Sequence, residues 1–110
     1  MILILLHIVE AKCELMQNLT DVTATEGDAL TLSIHLTKPR NVVWMRGSDP
    51  VAFDDRCQAT VDDTGTEHAL VLSAVTMEDS GEYASRVNDN LYGIMTAACK
   101  VTIKGKYREA

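Results

Sequence analysis

Within residues 29–36 apolar and polar positions alternate from Leu30 onward, which places Leu30, Leu32, Ile34 and Leu36 on one face. A period of two marks a strand buried on one side. Residues 41–46 predict a second strand, entered from a turn at Pro39 and ended by residues 47–50. Cys57–Val61 predicts a third, followed by the acidic turn at 62–65. Residues 67–73 follow with Leu70 and Leu72 sharing a face, and residues 82–87 come after a turn at 79–81. Asn88, Asp89, Asn90 and Gly93 bracket a hairpin into a last strand at 96–103. Seven or more short strands separated by turns, with no amphipathic helix among them, predict an all-β antiparallel sandwich or barrel.

The length of 110 residues and the 46% hydrophobic content suit one domain. Its core is large enough to fold without a metal or a disulfide. The formal net charge of −6 argues against nucleic acid, which calls for a concentrated basic face. The basic residues Lys100, Lys104, Lys106 and Arg108 gather at the C-terminus, as a solvated strand end and tail would place them. Cys13, Cys57 and Cys99 form no C-x-x-C pair, and His7, His35 and His68 are scattered, so neither a metal site nor a cofactor is expected. Nucleophile elbows and phosphate loops are absent too. Asp54 with Asp55, and Asp62 with Asp63, are adjacent and would face opposite sides of a strand. No enzyme is predicted. His35 and His68 are expected to point outward as solvated residues.

Residues 1–12 read as an apolar leader or linker. The run is too short for a membrane span, which needs about 20 residues. A fragment start or a short signal peptide are the alternatives, the latter with Val9-Glu10-Ala11 as a small-residue cleavage site. No positive residue precedes the run, and His7 interrupts it.

Several of these segments resemble the immunoglobulin I-set family. Leu70, Leu72, Val75, Asp79, Gly81 and Tyr83 match, in register, the family's signature L-x-[IL]-x-x-V-x-x-x-D-x-G-x-Y. Residues 26–34 resemble the entry to strand B, and Trp44 falls where the family has its core tryptophan. Gly93, Cys99, Val101 and Ile103 match the last strand, and residues 19–22 resemble strand A′. The resemblance covers residues 13–105, leaving 106–110 as a tail. It implies a Greek-key β-sandwich of two antiparallel sheets, with Ile34, Trp44, Leu72, Tyr83 and Ser85 in the core. It also implies a tyrosine corner at Tyr83 and a structural ion pair between Arg56 and Asp79.

The family's two sheet-bridging cysteines would fall at Ile34 and Ser85, so no inter-sheet disulfide is expected. A bridge closing a loop of about fifty residues would contribute roughly 4 kcal/mol in the chain-entropy model. Free thiols without that bridge suit a reducing compartment. They resemble the intracellular modules of titin-, obscurin- and twitchin-type giant muscle proteins. The resemblance therefore implies a non-catalytic structural or protein-binding module of a cytoplasmic cytoskeletal or sarcomeric filament. Its expected partners are neighbouring immunoglobulin-like domains or cytoskeletal proteins. The alternative is a secreted or cell-surface domain for adhesion or ligand recognition, to which the sequon Asn18-Leu19-Thr20 belongs. Candidate protein-binding residues are Met45 and Arg46 near the C–C′ connection, and Asn88, Asp89, Asn90, Leu91 and Tyr92 at the F–G turn. A force-bearing clamp is expected between residues 19–25 and 97–104.

Overall fold

The computed structural model describes residues 11–89 and 91–106. Nine strands occur among them: β1 (Leu15–Gln17), β2 (Val22–Thr25), β3 (Leu30–Leu36), β4 (Val42–Arg46), β5 (Asp49–Pro50), β6 (Cys57–Val61), β7 (Glu67–Leu72), β8 (Gly81–Asp89) and β9 (Gly93–Lys104). Four form one sheet in the order β1-β3-β7-β6, and five form the other in the order β2-β9-β8-β4-β5. The chain changes sheets between β1 and β2. Every pairing is antiparallel except β2 with β9, which is parallel. The first ten residues of the expected 1–12 leader and the last four residues of the tail lie outside the described residues.

Alternation builds the core between the sheets. Leu30, Leu32, Ile34 and Leu36 of β3 face Trp44, Tyr83, Val87, Ala97, Cys99, Val101 and Ile103 of the opposite sheet, all buried. Each such aliphatic side chain contributes about 1.5–3 kcal/mol when withdrawn from water. In β7 the inward set is His68, Leu70 and Leu72. His68 was expected outward, but it lies an even number of residues from Leu70 and must share its face. Its Nε2 meets the Gly65 carbonyl at 2.9 Å, which satisfies one polar atom of the buried ring.

The connection between β7 and β8 holds a 3-10 turn, Met77–Asp79. The Asp79 carboxylate accepts from the Thr76 backbone N–H at 2.8 Å, closing a capping box. Gly81 follows at φ +150°, where a side chain would strain the backbone as it enters β8. Cys13, Cys57 and Cys99 are free thiols.

Candidate functional site

Ile34, Trp44, Leu72, Tyr83 and Ser85 all lie in the buried interior. The Tyr83 hydroxyl donates to the Asp79 carbonyl at 2.7 Å, fastening β8 to the turn before it. Arg56 Nη1 reaches the Asp79 carboxylate at 3.4 Å and also donates to the Ala74 carbonyl at 3.0 Å. Arg56 thus joins the start of β6 to the connection between β7 and β8. Ser85 sits between Trp44 of β4 and Ala97 of β9 in the sheet. Its Oγ is buried with no hydrogen-bond partner among the described residues.

Burial, reinforced by the carboxylates of Asp54 and Asp79, pushes the Cys57 thiol above its usual value. Burial, followed by Asp21, does the same to Cys99. Both therefore remain thiols rather than reactive thiolates. Groups of three or more histidine, cysteine, aspartate or glutamate side chains placed to hold a metal are absent among the described residues.

The two sets of candidate binding residues do not converge. Arg46 pairs with Tyr83 at the start of β8, whereas Asn88 and Asp89 lie at its far end. Met45 is buried, not presented at a surface. Its cross-strand neighbours are Pro50 of β5 and Ala84 of β8, so strands flank it on both sides. Arg46 is occupied internally. Its guanidinium stands 5.6 Å from the Tyr83 ring centre and donates to the Glu78 and Ser80 carbonyls.

Asp89 is also buried, against expectation. The strand continues past Val87, and alternation with Tyr83, Ser85 and Val87 turns Asp89 inward. There it accepts from the Leu91 N–H at 3.0 Å and the Cys13 N–H at 3.3 Å, and pairs with Arg40 at 3.6 Å. Burial alone would raise its carboxyl pKa. The N–H donors of Leu91 and Cys13, with Arg40 and Tyr92, outweigh it and hold the carboxyl below the ordinary range. Asn88 is exposed, and Asn90 lies outside the described residues. Leu91 and Tyr92 are 66% and 47% exposed.

The terminal strands meet directly. Val22, Thr23, Ala24 and Thr25 pair with Val101, Thr102, Ile103 and Lys104. The Lys100 N–H donates to Asp21 Oδ1 at one end, and the Glu26 N–H to the Lys104 carbonyl at the other, each at 2.8 Å. The strand pairing is shorter than the expected 19–25 span. Leu19 is instead buried in the core before the strand begins. Because the pair is parallel, opposite pulls on the chain's two ends would slide β2 along β9 and load these bonds together.

Sequence reasoning missed the surface formed by Arg40, Val43, Arg86 and Ile94 on the outer face of the larger sheet. The signal was present in alternation: with Trp44 and Ser85 inward, Val43 and Arg86 must face outward.

Comparison with known proteins supplies the relationship. The family model for the immunoglobulin I-set domain matches residues 13–103. The chain is 26% identical over 92 residues to the muscle M-line assembly protein unc-89 of Caenorhabditis elegans, spanning 83% of this chain and 1% of that protein. Among solved structures, the complex of titin M10 with obscurin-like 1 Ig contains a similar chain at 26% identity and TM-score 0.79. That match covers 87% of this chain and 97% of the other. The titin z1z2 domains in complex with telethonin match at 21% identity and TM-score 0.78, over 90% of this chain and 51% of that one, a likeness of fold. The chain belongs to the immunoglobulin I-set family.

Proposed function

We propose that this domain is a non-catalytic structural and protein-binding module of an intracellular cytoskeletal or sarcomeric filament protein. The observation that carries the reading is the missing bridge between the sheets. Ile34 and Ser85 are buried at positions that resemble the family's cysteine sites, and the three cysteines remain thiols. Such a core suits a reducing compartment. Similarity to a muscle M-line assembly protein, and to a chain of a titin–obscurin-like complex, supports the filament setting. The partners in this reading are neighbouring immunoglobulin-like domains or cytoskeletal proteins, and no cofactor is required.

The parallel β2–β9 pair supports a mechanical role. Shear must break several hydrogen bonds together, whereas peeling a hairpin breaks them singly. About ninety released residues would then extend to roughly 300 Å.

A secreted or cell-surface adhesion domain is the second reading, favoured by the exposure of Asn18 in the connection between β1 and β2. An antibody raised against the folded domain separates the two in muscle cells. The filament reading expects regular striations after permeabilisation and no staining of intact cells. Staining of intact cells at their surface would refute it.

A further inference from the structure

A groove of about 530 Å³ lies on the outer face of the five-stranded sheet, beside the segment that enters β4. Val43 and Arg86 are cross-strand partners there, and so are Asn88 and Ile94. Val43 and Ile94 are 49% and 57% exposed, and both line the groove. Arg86 shares the groove with them and is also exposed. Its side chain makes no hydrogen bond or ion pair among the described residues. Arg40 forms part of the wall, but its charge is answered by the buried Asp89 at 3.6 Å. Arg86 is therefore the groove's uncompensated cation, in a chain whose net charge is −6.

We infer that this groove docks an extended segment of a partner protein carrying one carboxylate side chain between two apolar ones. Each feature selects part of that ligand. The free guanidinium selects an anion, and its planar fork suits a carboxylate. Val43 and Ile94 select apolar neighbours on the same face, so a free inorganic anion would leave them wet. The Asn88 amide, also in the groove lining, offers hydrogen bonds to an extended main chain. The inference rests on the protein-binding reading but not on a sarcomeric location. Failure in the cell-staining experiment would leave it standing, and failure below would leave the location standing.

The test is a titration of the isotope-labelled full chain, followed by amide NMR shifts. The probe is the capped heptapeptide Thr-Val-Thr-Glu-Thr-Val-Thr, which as a strand puts Val, Glu and Val on one face. Saturable shifts are expected at Asn41, Val43, Arg86, Asn88 and Ile94. Replacing the peptide's Glu with Gln should weaken binding about fivefold, the order expected for one partly exposed ion pair. Replacing it with Lys should weaken binding further. In the Arg86→Glu domain the preference should reverse in favour of the Lys peptide. Because the peptide series alone reads out charge selection, the test survives an unstable variant. Equal binding of the Glu and Lys peptides would overturn the inference. So would the absence of groove shifts at about 5 mM peptide, a concentration that detects even millimolar affinity. Concentration-dependent shifts of the same residues without peptide would mean that a second copy of the chain fills the groove, and would overturn it as well.

Discussion

Replacing Ser85 with alanine should make this domain more stable. Ser85 has 0% of its surface exposed, and its hydroxyl finds no partner among the described residues. A buried hydroxyl left unpaired costs about 1–3 kcal/mol, because water satisfies it in the unfolded chain. Removing the oxygen leaves a void of roughly 10 Å³, worth about 0.2 kcal/mol at the usual cavity cost. Desolvation wins, and the net gain should be about 1 kcal/mol or more. In urea this corresponds to a midpoint raised by about 0.5–1 M at unchanged slope. In a thermal melt it corresponds to an increase of about 4–8 °C for a domain of this size. Ser73→Ala, at an exposed serine, serves as the control and should move neither midpoint appreciably. A lower midpoint for Ser85→Ala would refute the reasoning, because it would show the hydroxyl engaged in a hydrogen bond worth keeping.

Three further outcomes follow from named contacts. Tyr83→Phe removes the bond to the Asp79 carbonyl and should lower unfolding free energy by about 1–2 kcal/mol, read from the same urea curves. Ala74 holds φ +48°, a conformation that costs a residue with a β-carbon about 1 kcal/mol, so Ala74→Gly should raise the thermal midpoint by a few degrees. The Asp89 carboxyl is held below its ordinary range in the folded state. Its contribution is therefore present above the unfolded pKa of about 4 and is lost as pH falls through the lower folded value. Urea midpoints measured from neutral pH into that acid range should fall less steeply for Asp89→Asn than for the parent.

Alternation made the framework legible. The period in residues 29–36 located β3, and the run from Leu70 to Tyr83 located β7, the tyrosine corner and the start of β8. Arg56 with Asp79 could be matched because both flank recognisable turns. Errors arose where polarity was trusted over parity. His68 and Asp89 lie on the inward faces of their strands, and each is accommodated by local hydrogen bonds that a sequence does not display. Met45 was misplaced for the opposite reason, since cover by β5 depends on how the chain returns after residues 47–48. For the groove beside Arg86, alternation turns Val43 and Arg86 outward, but bringing Ile94 to the same groove requires β4, β8 and β9 to be in register, which no local pattern reports.

The proposed function is that of an intracellular structural module with a reduced core. Its most direct test is the intact mass of the protein isolated from its native tissue, measured with and without an alkylating reagent under denaturing conditions. The account predicts alkylation at all three of Cys13, Cys57 and Cys99, with no glycan on Asn18. A glycan on Asn18, or cysteines protected from alkylation by disulfides, would contradict it and favour a surface-recognition domain.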